Sequence, residues 1–574
     1  MEDYMQPARA FLDWFRAWPG TTFHDDIEIV DLRARGAGRG IIAKKDIPVD
    51  TVLFTIPRKA IISATTSELA TLVPSIVQGA DQEEADGADD GDEEGDNEDT
   101  SKQDPWTSLI LIMIFEFLRG DASPWKAYFG VLPAVFDTPM FWADDELKAL
   151  QASPVVGRVG REEADEMIKT KVLPVIRAHS QVFFGEGAPL DDDAIVQLAH
   201  RMGSTIMAYS FSLEKDDDED ENDEKKEDED VEMKDGDDEH EHEHGPDCDH
   251  DHGDDSDSDS DSSGWVEDKD DQLPLGMVPM ADMLNADAEC NAHIGHGVDA
   301  LTATAVRPIK AGDEILNYYG PLSNGELLRR YGYTTEKHAF FDAVDVPWEL
   351  VQHHLAEQLH LLPAEAAKAA DAVDVDEFED PVMLDRDFDE DEETGQLRPP
   401  VLEGEEAGAS GASSTVLREL PQTLRRQAKA FAKVALRQQQ KRREKALANA
   451  PKSKQTGKNG KNDKTHAPKT EKEVVAAGLV GALTARLAQY PTSLEADEKE
   501  FAQTPAGRLH SALRVRIGEK RLLTEAVALA KAMLTEAKAE AKAEAKAEKL
   551  ASKAKKNDLR GDDEEQPSGK RQRR

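Results

Sequence analysis

This 574-residue chain holds only two cysteines, Cys248 and Cys290, and they lie far apart in the sequence. So few thiols exclude a disulfide framework and any four-thiolate zinc site, and they fit a reducing compartment. Long apolar runs are also missing. The longest, residues 109–115, is broken by Glu116 and falls short of the roughly 20 residues that cross a bilayer. The N-terminus offers Glu2, Asp3 and Tyr4 where a secretory signal would place basic and then apolar residues. A soluble, intracellular protein with no membrane partner is the expectation.

Positive charge is scarce too: 69 Lys and Arg stand against 118 Asp and Glu, a formal net charge of −49. The deficit is local. Residues 81–100 hold twelve acids and no base, and residues 214–271 hold thirty-two acids and five bases, so 39 of the 49 surplus negative charges lie in two tracts. Like charges at that density repel, and too few apolar groups remain to offset chain entropy, so both tracts read as disordered insertions. A negative surface repels phosphates. It argues against nucleic acid as a direct ligand and favours basic proteins such as ribosomal proteins or histones.

Outside the tracts the pattern alternates between short strands and helices. It divides into an N-terminal helix (1–24), a β region (25–80), the first acidic insertion (81–104), a helical segment (105–213), the acidic His-containing loop (214–271), a second β region (272–346), a helical C-terminal region (347–536) and a charged tail (537–574). Residues 27–32, 40–44, 52–57, 277–280, 301–306 and 314–318 read as strands bounded by Gly and Pro turns. Helical periodicity marks 11–18, 105–118, 162–179, 193–209, 351–362, 420–446, 473–488 and 508–536. The Ala/Lys/Glu tail at 537–556 has helix propensity but no apolar face, so it reads as solvated.

Three short segments carry candidate chemistry. Arg35-Gly36-Ala37-Gly38-Arg39-Gly40 sets glycine at alternate positions ahead of a strand, where backbone can approach a ligand closely. A dinucleotide fingerprint needs its glycines to open a helix, so alone this segment reads as a tight turn between strands. Val278-Pro279-Met280-Ala281-Asp282-Met283-Leu284-Asn285 ends an apolar stretch in an amide that both donates and accepts; alone, that is a turn-capping Asn. Glu314-Ile315-Leu316-Asn317-Tyr318-Tyr319-Gly320 ends a strand in two tyrosines, and Tyr331-Gly332-Tyr333 follows a short helix-length later. Aromatic residues at strand ends are, taken alone, core.

In this order and spacing the three segments resemble the SET-domain lysine methyltransferases, of the type with a long helical insert and a helical C-terminal substrate domain. Within that family the likeness is greatest to the fungal ribosomal subgroup, and the Rubisco large-subunit methyltransferases are more distant. Ser123-Pro124-Trp125-Lys126-Ala127-Tyr128-Phe129, Pro139-Met140-Phe141-Trp142 and Met207-Ala208-Tyr209-Ser210-Phe211 match as well, so the likeness spans residues 11–333, with a weaker echo at 508–523. It implies an α+β fold: a SET-type β-rich catalytic domain of short strands split by a helical insert, then a helical C-terminal substrate-binding domain, with disordered acidic insertions. S-adenosyl-L-methionine is the implied cofactor. Tyr319 would be catalytic. Ala37, Gly38 and Arg39 would lie along the cofactor, Asn285 and Ala286 would hold it, and Tyr331 would stack near its adenine. Tyr209 would sit where cofactor and lysine meet, and Trp125 and Phe211 would line the lysine channel. Many relatives carry His where Ala286 stands; the contact there is partly by backbone, and Asn285-Ala286-Asp287 is shared with the fungal subgroup.

The residue types suit the reaction so implied. A free lysine, with a pKa of about 10.4, is protonated at neutral pH, and an apolar, aromatic channel raises the cost of the ammonium. A basic protein, by the same resemblance a 60S ribosomal protein, is the expected substrate. The same chemistry on a histone or other nuclear protein is one alternative; an inactive SET scaffold that chaperones basic proteins is another.

Other signals carry less. His240, His242, His244, His250 and His252 surround Cys248 in acidic sequence with no scaffold, an adventitious metal tract and not a built metal site. Lys441, Arg442 and Arg443, and Lys570, Arg571, Arg573 and Arg574, read equally as nuclear-import signals or solvated basic tails. A nuclear location, extending to the cytoplasm, is the expectation.

Overall fold

The computed structural model describes residues 4–76, 104–213, 274–371, 373, 378–390, 397–398, 417–448 and 470–561. Both acidic tracts, the histidine cluster, most of the Lys-rich linker and the extreme C-terminus lie outside these residues. Among the described residues, no helix is long and apolar enough to cross a membrane, and no cluster of His, Cys, Asp and Glu could hold a metal. Cys290 is buried.

Among the described residues, ten short strands build the first half. They are β1 (Thr22–Phe23), β2 (Ile27–Asp31), β3 (Arg39–Ala43), β4 (Val52–Pro57), β5 (Ser210–Ser212), β6 (Leu275–Met277), β7 (Asn285–Ala286), β8 (Ala292–His296), β9 (Ala300–Ala305) and β10 (Glu314–Asn317). One sheet has the order β1-β4-β9-β8 and a second the order β2-β3-β10-β7, with β5 and β6 as a separate pair. β4 pairs with β9 through Phe54↔Ala303, and β3 with β10 through Ile41↔Ile315. Residues from either side of a long insertion thus share each sheet, and the two β regions form one unit. β9 shows why: its side chains alternate between buried and half-buried with period two, Leu301, Ala303 and Ala305 facing the core.

Two sequence expectations shift here. The strand expected at 277–280 ends at Met277, because Met280 adopts φ +85°, outside the β region. Strand β8 has no clear signature in the sequence, since Gly295 and the polar His293 and His296 blur its alternation.

The insertion is helical, as its composition demands. Ahead of the strands, helix α1 (Gln6–Ala17) adds Phe11 and Phe15 to the same core, and in the insertion α2 (Pro105–Leu118) passes through that core with every residue from Thr107 to Glu116 buried. Asp104 caps α2 by accepting from the Thr107 N–H at 2.7 Å, and Pro105 occupies the first turn, where no donor is lost. Glu116 is tolerated inside because Ser67 and Ser123 donate to it at 2.7 and 2.8 Å. The helix expected at 162–179 is interrupted: Arg161–Met167 passes into a π turn at Ile168–Val172 before Leu173–Ala178. Pro174 lacks the N–H that a regular α-turn requires. Helix α3 (Asp192–Tyr209), capped by Asp191, delivers Tyr209 to the sheets.

Helix α4 (Asn324–Tyr331) links to the C-terminal region. There a second core gathers Trp348 and Leu355 of α5 (Trp348–Leu359), Phe431 of α6 (Gln422–Ala448), Leu479 of α7 (Glu471–Ala488) and Leu523 of the long terminal helix. After α8 (Leu494–Phe501) that helix, α9, spans Arg508–Gly561 and continues well past the expected end at 536. Alanine and spaced Glu/Lys favour the helix, Lys472 pairs with Glu540 at 2.7 Å, and Ala537 is buried, so the start of the tail is docked and not simply solvated.

Candidate active site

Three loops and two helix ends converge on one edge of the second sheet. The Gly36-to-Gly40 segment turns at residues 36–38 and enters β3 at Arg39, a tight turn between two strands. Residues Arg33–Arg35 make a single 3-10 turn, Gly36 takes φ +83°, and Leu32 donates to the Gly38 carbonyl at 2.9 Å. Gly40 has a steric reason. A Cβ there would lie 2.5 Å from Leu32 Cδ1, 2.7 Å from Glu314 Oε1 and 2.9 Å from Asn285 Nδ2.

Asn285 is the hub of this contact. β7 runs parallel to β10, with Asn285 opposite Leu316 and Ala286 opposite Asn317. From there the Asn285 amide donates to the Arg39 carbonyl at 3.1 Å and to the Glu314 carboxylate at 2.7 Å. It therefore ties the glycine turn to the strand that leads to Tyr319. Asn291 reinforces that strand like a missing neighbour, donating to the Glu314 carbonyl and accepting from the Leu316 N–H, both at 2.8 Å.

Tyr319 donates its hydroxyl to the Leu284 carbonyl at 2.8 Å. Its ring stacks on Tyr331 with centroids 4.9 Å apart and an interplanar angle of 21°, and Tyr331 in turn meets Tyr333 at 6.1 Å. Burial pushes the Tyr319 phenol well above its ordinary pKa, with Tyr331, Tyr333 and Tyr209 adding to the effect. Burial likewise raises Tyr209 to about 12, helped by Asp282, Tyr331 and Tyr4, and raises Tyr333. Three phenols held in the neutral form are hydrogen-bonding groups and not bases at physiological pH. The aromatic faces can also accommodate a cation.

Several participants were not visible in the sequence. In the sequence Glu314 reads only as the start of a strand. Asp282 is half-buried, accepts from the Tyr128 hydroxyl at 2.6 Å, and is raised to about 7 by the desolvation of its carboxyl, the Tyr128 bond pulling the other way. Tyr4 lies between two guanidinium groups, Arg33 at 3.6 Å and Arg39 at 4.4 Å from the ring centroid, with its hydroxyl 3.6 Å from where a Cβ of Gly38 would stand. Arg39 itself donates to the Tyr4 and Val131 carbonyls, so its side chain holds the N-terminal segment over the turn.

The expected lysine-channel residues are placed differently from the tyrosine cluster. Trp125 is buried, stacks on Trp18 at 6.1 Å and donates its indole N–H to the Ala60 carbonyl at 2.8 Å. Phe211 is half-buried in β5 opposite Gly276. A separate open groove of about 870 Å³, floored by Phe117, Phe136 and Leu198, takes in none of the expected site residues.

Residues 38–320 match the SET domain, and residues 397–523 match the Rubisco LSMT substrate-binding domain. The chain thus carries a SET domain followed by a Rubisco LSMT substrate-binding domain. The SET segment begins at the glycine turn and ends just after Tyr319, so the site built above falls inside it. Ribosomal lysine N-methyltransferase 4 of Saccharomyces cerevisiae is 27% identical over 62% of this chain and 61% of its own length. N-lysine methyltransferase setd6 of Xenopus laevis is 27% identical over 51% and 50%. The chain thus aligns with less than two thirds of these relatives. Among solved structures, Rubisco LSMT bound to AdoMet superposes with a TM-score of 0.54 at 16% identity, over 92% of this chain and 93% of that one, and so shares the fold of SET domain and helical C-terminal region.

Proposed function

We propose that this SET-domain chain is an S-adenosylmethionine-dependent protein-lysine N-methyltransferase. The observation that carries the reading is the convergence of Gly38 to Gly40, Asn285 and the Tyr319–Tyr331 stack at one sheet edge. The site fits the cofactor. Gly40 lets β3 pack directly against Asn285 and Glu314, which holds the glycine turn beside the tyrosines, and the tyrosines supply aromatic surface for a flat or cationic group. Ala37, Gly38, Arg39, Asn285, Ala286 and Tyr331 are the residues that would hold it. Bound there, S-adenosylmethionine supplies a sulfonium methyl open to in-line attack by a neutral amine.

The residues of the chain do the remainder. The half-buried phenols of Tyr209, Tyr319 and Tyr333 remain neutral, so the lysine proton leaves to water rather than to a tyrosinate. Desolvation among aromatic rings weakens the ammonium and favours the free amine. Tyr319, fixed by the Leu284 carbonyl and by Tyr331, orients it.

For substrate we propose a lysine of a large-subunit ribosomal protein. The name of the yeast relative and the charge map of the chain, which favours a basic partner, both support this. The test is incubation with labelled S-adenosylmethionine and either salt-washed ribosomes or histones, followed by mass spectrometry of the labelled band. Label on a ribosomal protein is expected. Label on histones alone would replace the substrate, and label on neither would remove the enzymatic reading.

A further inference from the structure

Helix α4, which ends in Tyr331, has eight residues, a length of about 12 Å. A helix this short does not hold itself in place. Its constraints come from outside. At its start Asp342 Oδ1 accepts from the Asn324 backbone N–H at 3.0 Å and from its side-chain amide at 3.1 Å. Asn324 Oδ1 accepts in turn from the Thr335 N–H at 2.8 Å, beyond the far end of the helix. Both Asn324 and Asp342 are buried.

Asp342 rests on α9: a Cβ on Gly518 would overlap its carboxylate. Midway along α4, Leu328 shares a small apolar cluster with Val155, Ala512 and Val515. At the end of α4, Gly332 takes φ +80° and sits so close to Asp137 that a Cβ would approach its carbonyl carbon to 2.9 Å. The Asp137 carboxylate pairs with Arg508 at 2.7 Å. Gly518 therefore lies at the start of α4 and Arg508 at its end, and residues 508–518 run alongside it in the opposite direction.

We infer that residues 508–518 of the C-terminal helix are a splint for the tyrosine wall, with Asp342 and Gly518 as positioning residues, so that the C-terminal region sets cofactor affinity through Tyr331. The inference rests on Tyr331 belonging to the cofactor site. Two features of the splint are local and steric, namely a helix glycine under a carboxylate and a loop glycine under a backbone. Simple coverage of one domain by another would need neither.

Gly518→Ala decides the point. Alanine is the better helix former at an interior position, so any loss arises at Asp342 and not within α9. Gly478→Ala is the control, because its Cβ would press on Leu355 inside the C-terminal core, away from Asp342. In the full-length protein, hydrogen–deuterium exchange across 324–333 is expected to rise about 10-fold in Gly518→Ala and to hold steady in Gly478→Ala. The Kd for S-adenosylhomocysteine, by calorimetry, is expected to rise about 10-fold in the first variant only. Asp342→Asn keeps an oxygen to accept from Asn324 and should behave as wild type, whereas Asp342→Ala should follow Gly518→Ala. Unchanged exchange in Gly518→Ala, an equal rise in Gly478→Ala, or a rise without any change in Kd would each overturn the splint. Wild-type protein that does not bind S-adenosylhomocysteine would instead remove the methyltransferase reading, and the exchange data would still decide the splint.

Discussion

The Tyr319 hydroxyl donates to the Leu284 carbonyl at 2.8 Å, and Leu284 immediately precedes the asparagine that grips the glycine turn. The catalytic candidate and the glycine turn proposed to hold the cofactor are therefore bonded through one short stretch of backbone. Tyr319→Phe removes that donor while keeping the ring stacked on Tyr331. Methyl transfer is expected to fall about 10²- to 10³-fold in kcat, with stability reduced by only about 1 kcal/mol. Single-turnover transfer of label, measured beside a urea unfolding curve, checks both. An active Phe variant would assign catalysis to another group.

Gly40 gives a second prediction. In a strand interior, Gly→Ala would ordinarily stabilise. Here the new methyl meets Leu32, Glu314 and Asn285 within 3 Å, so Gly40→Ala is expected to cost about 1–3 kcal/mol and to weaken S-adenosylhomocysteine binding. Thermal unfolding with and without the ligand measures both quantities. A higher Tm in the apo variant would show that the contact relaxes freely.

These two residues mark what could be read from the sequence and what could not. Gly40 and Tyr319 announce themselves because glycine spacing and an aromatic strand end are local patterns, and the strands beside them follow from period-two burial. Glu314 and Asp282 do not. Asp282 meets Tyr128 across 154 residues, and Asp137 meets Arg508 across 371. Neither pair leaves a periodic trace, because topology alone brings the partners together. Trp125 is legible as part of a motif, but the bond of its indole to Ala60 and its stacking on Trp18 are long-range contacts that the motif does not specify.

The C-terminal region offers a prediction about stability. Asp497 is fully buried and accepts from Arg516 at 2.9 Å while also pairing with the fully buried Lys520; Thr492 donates to it at 2.7 Å. Its pKa is held low: burial opposes this, but Lys520, Thr492 and Arg516 outweigh it. Asp497→Ala strands two cations, and breaking a buried pair in this way costs about 3–5 kcal/mol. Chemical denaturation of the full chain should show the loss, and Asp497→Asn should recover only part of it. A loss below about 1 kcal/mol would mean that water reaches the cluster.

Glu519 supplies the pH dependence. It is buried among Ser153, which donates at 2.6 Å, and Tyr490, which donates at 2.8 Å. Burial raises its pKa to about 8; the two hydroxyls and Arg486 pull it down, and Asp342 pushes it up. An unfolded glutamate titrates near 4.3, so between these values the folded state binds the additional proton. Stability must then fall as pH rises through this window and level off above about 8. Asp342 and Asp282 act in the same direction but finish near 7, which leaves the interval from about pH 7 to 8 mainly to Glu519. The slope there is at most about 1.4 kcal/mol per pH unit. Glu519→Gln cannot ionise and still offers one oxygen to a neighbouring hydroxyl, so its Tm should be nearly flat from pH 7 to 8 while the wild-type Tm declines. Parallel slopes in the two proteins would place the titrating group elsewhere.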